Sequence, residues 1–316
     1  MMKKDFVKRI IKGDRRAAAK LITLVENDYK KAECFLKELY NHTGHAVIIG
    51  ITGPPGSGKS TITDKLTKAM RKKGKTVAII AIDPTSPFTG GALLGDRIRM
   101  QDLSLDKGVF IRSMGTRGYL GGLSRATQAT IKILDALGKD VIFIETVGVG
   151  QAEVDIVKVA DTVVLVTIPG MGDDIQIIKA GIMEIGDIFV VNKADKEGHE
   201  RLLTEIQMML DLNSFGEWHP PVIKTIALDN SGIDELLENI QLHLKYLKES
   251  GKFRKRRHKN IKKEILSLIH EEWKNSLTEV IDKTYLNEIA DKIERREIDP
   301  YTSVKKLLDL LIHSYK

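Results

Sequence analysis

The sequence predicts a doubly wound α/β fold, in which helices cover both faces of a mostly parallel sheet, with further helices at both ends of the chain. The first observation is a series of seven short apolar runs, at 46–51, 76–82, 109–112, 140–145, 162–168, 188–192 and 222–227. Because these runs are apolar on both faces, they suit strands that are buried on both sides of a parallel sheet. The second observation is that segments of helical periodicity separate the runs, and this alternation is typical of α/β domains.

Helical patterns alone occupy the two ends of the chain. Apolar residues recur at three- and four-residue spacing over 5–40, and Gly44 ends that stretch. After 231 no strand-like run remains, and helices are predicted over 232–249, 261–274, 277–297 and 301–314. The length of 316 residues slightly exceeds what one hydrophobic core usually holds. We therefore predict an N-terminal helical extension over 1–44, a central α/β domain over 45–250 and a C-terminal helical extension over 251–316.

The basic excess of the chain lies in one short segment. The formal net charge is +7, and a stretch without acids contains Lys252, Arg254, Lys255, Arg256, Arg257, Lys259, Lys262 and Lys263. We interpret 252–263 as a cationic hinge before the C-terminal helices, either a solvated linker or part of an interface with a second copy or a client protein. Its one aromatic residue is Phe253 and no recognition motif accompanies it, so no nucleic-acid partner is predicted.

The composition indicates a globular protein of a reducing compartment. With 42% hydrophobic and 29% charged residues, a mainly disordered chain is excluded. The single cysteine, Cys34, excludes an intramolecular disulfide and fits a reducing cytoplasm. No apolar run approaches the roughly 18 residues of a membrane helix, and 1–16 is too charged for the core of a signal peptide. We therefore expect a cytoplasmic protein that does not associate with a membrane.

A glycine-rich segment between the first predicted strand and a predicted helix fits the pattern G-x-x-x-x-G-K-[ST]. Its backbone N–H groups and the helix N-terminus are suited to bind phosphate oxygens. The Lys59 ammonium can neutralise the β- and γ-phosphates, and the Ser60 hydroxyl can ligate Mg²⁺. The predicted phosphate-binding residues are Gly53, Pro54, Pro55, Gly56, Ser57, Gly58, Lys59, Ser60 and Thr61. This context predicts a P-loop NTPase rather than an ordinary glycine turn.

A second motif predicts that the base is guanine. Asn192, Lys193 and Asp195 form an N-K-x-D sequence at the end of the sixth apolar run. A carboxylate such as Asp195 can accept from guanine N1–H and from the 2-amino group, and adenine lacks both donors. The aliphatic stem of Lys193 can cover the ring face. We expect backbone groups of Ile226, Ala227 and Leu228 to complete the base pocket. The alternative is a helix start with Asp195 as its cap.

Acidic residues at strand ends are candidates for the metal and for hydrolysis. Glu145 ends the run 140–145 and precedes Gly148, whose N–H can approach a γ-phosphate. The predicted metal ligands are Ser60, Asp83, Asp96 and Glu145, and the predicted catalytic residues are Lys59, Asp96 and Glu145. Asp83 could instead cap a turn before Pro84, and Asp96 could pair with Arg99. No glutamine directly follows Gly148, as it does in Ras-like proteins, so we expect a low intrinsic rate; Gln151 is expected to begin the next helix.

Two glycine-rich stretches, 115–124 and 169–174, follow predicted strands. Such stretches suit switch loops that respond to a γ-phosphate. They equally suit ordinary strand–helix connections, so the sequence leaves both readings open.

The chain resembles the methylmalonyl-CoA mutase-associated GTPase family (MeaB/ArgK), a relative of the signal-recognition and nickel-insertion GTPases. The resemblance is carried by 13–17, 24–26, 50–56, 83–87, 94–100, 117–124, 145–151, 192–195 and 299–301. It departs at Ile226, where the family usually has serine. The resemblance implies GTP/GDP binding and GTP hydrolysis coupled to an adenosylcobalamin-dependent acyl-CoA mutase, with the protein gating cofactor delivery and protecting or reactivating the mutase. It also implies a homodimer joined through the C-terminal helices.

Two other functions are weighed against this expectation. A metallochaperone GTPase would need a cluster of cysteine and histidine ligands, and the single cysteine and scattered histidines do not supply a close metal-ligand spacing. An ArgK-type kinase or ATPase linked to amino-acid transport would use ATP, which the guanine-reading Asp195 disfavours. The identity of the mutase stays open, because methylmalonyl-CoA, isobutyryl-CoA and ethylmalonyl-CoA mutases are all candidates.

Overall fold

The structure is a computed structural model, and it describes residues 2–83, 101–115, 124–146, 155–170, 184–212, 216–280 and 283–314. Its centre is a parallel sheet of seven strands in the order β3-β2-β4-β1-β5-β6-β7. The strands are β1 (Val47–Thr52), β2 (Val77–Asp83), β3 (Val109–Gly115), β4 (Val141–Thr146), β5 (Thr162–Thr167), β6 (Ile188–Asn192) and β7 (Val222–Thr225). Each of the seven predicted runs therefore forms a strand, and the predicted doubly wound fold is confirmed.

Eleven α-helices lie in the described part of the chain. They are α1 (Met2–Ile11), α2 (Arg15–Asn27), α3 (Tyr29–Leu39), α4 (Lys59–Lys72), α5 (Gln101–Leu105), α6 (Arg125–Ala136), α7 (His199–Leu212), α8 (Ile233–Glu249), α9 (Lys252–Val280), α10 (Lys283–Glu294) and α11 (Pro300–Ser314). None of these helices combines the length and the apolarity that a membrane crossing requires.

The sheet is buried on both faces, which explains why its strands are apolar throughout. One face carries Ile80, Ile142 and Ile144 and belongs to the hydrophobic core that includes the N-terminal helices and α6. The other face carries Ile51 and Phe143 and packs with α4 and α8. The phosphate-loop helix α4 and the N-terminal helices thus lie on opposite faces of the sheet.

Aspartates hold the amino-terminal edge of the sheet. Each carboxylate accepts a hydrogen bond of 2.7–2.9 Å from a backbone N–H near the start of a strand: Asp135 from Ala46, Asp140 from Thr76, Asp161 from Ile48 and Asp187 from Val163. These bonds satisfy backbone donors where the strand ladder begins. The carboxyl-terminal edge, where ligands bind in open α/β sheets, is left for the functional site.

The N-terminal helices pack onto the α/β core. The Asp14 side chain caps α2 by accepting from the backbone N–H groups of Arg16 and Ala17. Farther along α2, Glu26 forms an ion pair with Arg112 of β3. The first compact unit of the chain, Met1–Arg256, contains these helices together with the sheet. The second unit is Arg257–Lys316, and the domain limits expected from the sequence stay predictions.

The expectation of a linker at 252–263 is wrong, because α9 begins at Lys252 and continues to Val280. The predicted break between the helices 261–274 and 277–297 is also absent, because α9 continues through it to Val280. Lysine and arginine have high helix propensity, so the segment forms a helix although it lacks the apolar periodicity that would have predicted one.

Candidate nucleotide-binding site

A cleft of about 580 Å³ opens at the carboxyl-terminal edge of the sheet. The phosphate loop, which we define as 53–60, contributes to this cleft together with the ends of β2, β4, β6 and β7. The lining residues are Pro55, Gly56, Gly58, Lys59, Ser60, Thr61, Ala81, Ile82, Glu145, Thr146, Asn192, Lys193, Asp195, Lys196, Ile226, Ala227 and Leu228. Three groups of predicted residues from distant parts of the sequence therefore meet in one cavity.

The phosphate loop requires glycine at two positions where other chain segments approach. Gly53 has φ +138°, and a Cβ there would lie 2.0 Å from the carbonyl oxygen of Val166. Gly58 has φ +90°, and a Cβ there would lie 2.2 Å from Nδ2 of Asn192. Helix α4 begins within this loop, at Lys59, so the positive end of its dipole lies at the phosphate region.

The Lys59 side chain lies over the phosphate loop. Its Nζ donates to the carbonyl oxygens of Gly53 and Pro54, both at 2.8 Å, and the residue is buried. The charge is thereby concentrated where an anionic ligand would bind. Phosphate oxygens form stronger, charge-assisted bonds with an ammonium group than neutral carbonyls do.

Two predicted metal ligands are in direct contact. The Ser60 hydroxyl donates to Oε1 of Glu145 at 2.5 Å. Glu145 is only 5% exposed, although it is charged in its ordinary state. A hydroxyl and a carboxylate supply the oxygen ligands that Mg²⁺ prefers, so this pair fits the metal.

The remaining predicted residues of the metal and hydrolysis region lie wholly or partly outside the described residues. Asp83 is the last residue of β2, at the same edge of the sheet, and its side chain lies outside the described residues. Asp96, Gly148, Gln151 and most of the stretches 115–124 and 169–174 also lie outside them. Their proposed roles stay predictions.

Asn192 connects the base-reading motif to both neighbouring loops. Its Nδ2 donates to the carbonyl oxygen of Ser57 at 2.8 Å. Its Oδ1 accepts from the Thr225 hydroxyl at 3.0 Å and from the backbone N–H of Ala227 at 3.2 Å. Asn192 is 2% exposed, so these bonds satisfy a buried amide and fix the positions of three chain segments.

The next residues of the motif face the cleft. Lys193 has φ +57°, and its Nζ donates to the carbonyl oxygen of Gly56 at 2.8 Å. Asp195 is exposed, and no other described residue donates a hydrogen bond to its carboxylate. Helix α7 begins at His199, so Asp195 is not its N-cap and the alternative role is wrong. The carboxylate is available to a ligand.

The segment after β7 forms the far wall of the cleft. Ala227 is buried and Leu228 is 80% exposed. The backbone carbonyl of Leu228 accepts from Nζ of Lys65 on α4 at 3.3 Å. The departure from the family pattern at Ile226 leaves this wall intact, because Ala227 and Leu228 make their contacts here through backbone atoms.

Four lining residues were not predicted: Ala81, Ile82, Thr146 and Lys196. Three of them lie at the ends of β2 and β4, beside the predicted Asp83 and Glu145, and Lys196 directly follows Asp195. Position at a strand end was the available signal, since ligands bind there in open α/β sheets. Within the ranges that the structure describes, no group of three or more histidine, cysteine or acidic side chains could hold a metal ion.

Comparisons with known proteins agree with this geometry. The chain matches the family described as methylmalonyl Co-A mutase-associated GTPase MeaB over residues 18–282. A protein of Pyrococcus abyssi that is named as a GTPase is 55% identical over 98% of this chain and 96% of its own length. The mitochondrial methylmalonic aciduria type A homolog of Mus musculus is 33% identical over 97% of this chain and 78% of its own length.

One solved structure is similar along the whole chain. A crystal structure of an LAO/AO transport system kinase matches with a TM-score of 0.73 and 25% identity, over 98% of this chain and 97% of that chain. The parallel sheet, the phosphate loop and the family match all indicate a P-loop GTPase. The chain therefore belongs to the methylmalonyl-CoA mutase-associated GTPase family, MeaB, whose members are P-loop GTPases.

Proposed function

We propose that this GTPase binds GTP with Mg²⁺ and acts as a chaperone of an adenosylcobalamin-dependent acyl-CoA mutase, gating cofactor delivery and protecting or reactivating the mutase. The observation that carries the nucleotide part is the meeting of the phosphate loop and the N-K-x-D motif in one cleft. The mutase part is supported by the family description and by the relative from Mus musculus.

The phosphate end of the cleft supports binding of a triphosphate. Loop N–H groups and the start of α4 would hold the phosphate oxygens, and the Lys59 ammonium would donate to them. Ser60 and Glu145 would hold Mg²⁺, with Asp83 and Asp96 as further candidates. The metal would neutralise charge on the β- and γ-phosphate oxygens.

The base end of the cleft supports guanine. The exposed Asp195 carboxylate would accept from N1–H and the 2-amino group, while the Lys193 stem would cover one ring face. An adenine base has neither donor, so ATP would leave the carboxylate unpaired. This argument disfavours the kinase or ATPase activity that the description of the similar solved structure suggests.

A homodimer is also proposed, and α9 supports it. Ile261, Ile265, Ile269 and Trp273 recur at four-residue intervals along this helix, and each is between 43% and 56% exposed. Residues four apart lie on one helix face, so these side chains form an apolar stripe. A second copy of the chain would bury it. Ile265→Glu with Ile269→Glu should convert a dimer to a monomer in light scattering; an unchanged mass would reject this stripe as the interface.

The nucleotide proposal is tested by competition binding with GTP, ATP and XTP. The wild type should prefer GTP, and Asp195→Asn should lose that preference and gain affinity for XTP, whose 2-oxo group accepts from the new amide. Lys59→Ala should abolish tight GTP binding. Equal hydrolysis of ATP and GTP by the wild type would reject the assignment of Asp195, and unchanged GTP affinity in Lys59→Ala would reject the phosphate loop.

The client is tested by pull-down with methylmalonyl-CoA, isobutyryl-CoA and ethylmalonyl-CoA mutases, and by GTP turnover with and without each. The true client should form a complex and change the turnover rate. Lys59→Ala is the matched control, because it should lose the nucleotide-dependent part of the effect. Failure of all three mutases to bind or to alter turnover would reject the chaperone proposal.

A further inference from the structure

Six residues next to the proposed Mg²⁺ ligands are linked in a closed series of contacts. Three pairs are covalent neighbours: Thr52 with Gly53, Lys59 with Ser60, and Glu145 with Thr146. Three hydrogen bonds join the pairs: Nζ of Lys59 to the Gly53 carbonyl at 2.8 Å, the Ser60 hydroxyl to Glu145 at 2.5 Å, and the hydroxyls of Thr52 and Thr146 to each other at 3.0 Å. The first two bonds use the groups that would bind nucleotide and metal.

The third bond is of a different kind. Thr52 and Thr146 are 0% and 1% exposed, and they end β1 and β4. These two strands pair in parallel, with Ile51 opposite Glu145, so the two threonines occupy the next position of the ladder. Side chains alternate between the faces of a strand, so the hydroxyl pair lies on the face opposite the Ser60–Glu145 contact.

Binding of nucleotide and metal changes the surroundings of two of the three bonds. The Lys59 ammonium gains phosphate oxygens as acceptors, and the Ser60 oxygen gains the metal while its proton can still be donated to Glu145. Neither threonine hydroxyl is needed by the ligand, and both are shielded from solvent. Their bond can therefore persist in both states.

We infer that the Thr52–Thr146 hydroxyl pair is a positioning pair, which holds the phosphate loop and Glu145 at a fixed separation while Lys59 and Ser60 bind the nucleotide and the metal. Thr146 lines the cleft, but its hydroxyl bonds Thr52 and is shielded from solvent, so the pair acts through Glu145 and the loop. The inference rests on the proposed Mg²⁺–GTP site. Metal binding needs Glu145 and the phosphate loop at the same time. Loss of the Thr52–Thr146 hydrogen bond should therefore weaken Mg²⁺ binding more than it weakens nucleotide binding without metal.

The test uses the full chain and a fluorescent GDP. Its dissociation rate is followed against Mg²⁺ concentration, and its affinity is also measured in EDTA. Thr146→Val should raise the Mg²⁺ concentration for half-maximal retention about 5- to 10-fold, the size of one buried hydrogen bond, with less than about a twofold change in EDTA. Thr146→Ser keeps the hydroxyl and should restore the wild-type value.

Two further variants separate positioning from a general loss of stability. Thr52→Val should reproduce Thr146→Val, and the double variant should be no worse than either alone, because both remove one bond. Thr130→Val is the matched control, a buried threonine on α6 whose hydroxyl donates to Ala126 at 2.7 Å; it should leave the Mg²⁺ dependence unchanged. If Thr146→Val does not fold, Thr52→Val carries the test.

An unchanged Mg²⁺ dependence in the valine variants, or an equal shift in Thr130→Val, would overturn the inference while the metal site stands. Glu145→Gln separates the metal site from the positioning role, since it changes a proposed metal ligand directly and should raise the Mg²⁺ concentration needed for retention of GDP. A wild type that retains GDP equally with and without Mg²⁺ would overturn the proposed metal site and the positioning role together.

Discussion

The side-chain amide of Asn192 donates a hydrogen bond to the backbone carbonyl of Ser57 at 2.8 Å, across 135 residues of sequence. The same side chain accepts from Thr225 and Ala227. One buried amide thus joins the phosphate loop, the base-reading strand end and the loop after β7. Asn192 therefore helps to fix the separation between the phosphate loop and the base-reading motif.

Asn192→Ala should lower both stability and GTP affinity. The variant leaves the Ser57 carbonyl and the Ala227 N–H without a partner in a buried region, and each such group costs about 1–3 kcal/mol. We expect the free energy of unfolding to fall by about 2–4 kcal/mol in urea titrations. Thr225→Val is the control, because it removes only one of the three bonds and should cost about 1 kcal/mol. Equal losses in the two variants would contradict the joining role of the amide.

Much of the fold follows from local sequence pattern. The strands were predictable because both of their faces are buried, so every residue from Val141 to Ile144 is apolar. Helix α4 was predictable because it follows the glycine-rich motif directly and its apolar residues Ile62, Leu66 and Met70 recur at four-residue spacing. The start of α9 was not predictable, because 252–263 has residues of high helix propensity without apolar periodicity.

The site was predictable where the chemistry lies in a contiguous motif and not where it depends on strand order. The sequence identifies Lys59 and Asn192 by their neighbours along the chain. The contact of Thr52 with Thr146 requires knowing that β1 pairs with β4, three strands later in the sequence. No local pattern contains that information, since non-local pairing is decided by packing of the whole sheet.

His243 should make the protein less stable in mild acid. Its ring is 2% exposed and lies tilted against Trp218, with the ring centroids 4.7 Å apart, and its Nδ1 and the Thr162 hydroxyl form a hydrogen bond of 2.9 Å. Burial lowers its pKa to about 4, with Arg256 adding to this effect and Asp187 and Asp161 opposing it. The unfolded chain, with a histidine pKa near 6.5, then binds more protons than the native state between these values.

The His243 contribution is therefore complete above about pH 6.5 and is lost as the pH falls toward 4, by about 3 kcal/mol at most. Urea titrations at pH 7.5, 6.0 and 5.0 measure this loss. In His243→Gln the slope between these pH values should be smaller, whereas the surface change His258→Gln serves as the control. A His243→Gln protein with the wild-type slope would show that another group controls acid stability.

Arg256 should stabilise the protein far more than an exposed arginine does. Its guanidinium contacts both carboxylate oxygens of Asp187 at 2.9 Å, with both side chains less than 20% exposed. Arg256→Met leaves Asp187 without its countercharge, and we expect a loss of about 2–3 kcal/mol. Arg201→Met breaks the Arg201–Glu205 pair, whose arginine is 85% exposed, and should leave the free energy of unfolding nearly unchanged because solvent screens the pair. Similar losses in thermal or urea unfolding would contradict the buried role of Arg256.

Thr67→Val should make the protein more stable. Thr67 is fully buried on α4, and its Oγ1 has no hydrogen-bond partner within the described residues. Valine has the same shape without the hydroxyl, so the change removes an unsatisfied polar group. We expect a gain of about 1 kcal/mol, or roughly 2–4 °C in Tm. Thr63→Val is the matched control, because Thr63 is equally buried on the same helix but donates to the Lys59 carbonyl at 2.9 Å. That control should show no gain, and a rise in Tm of equal size in both variants would assign the effect to burial of valine rather than to removal of the unpaired hydroxyl.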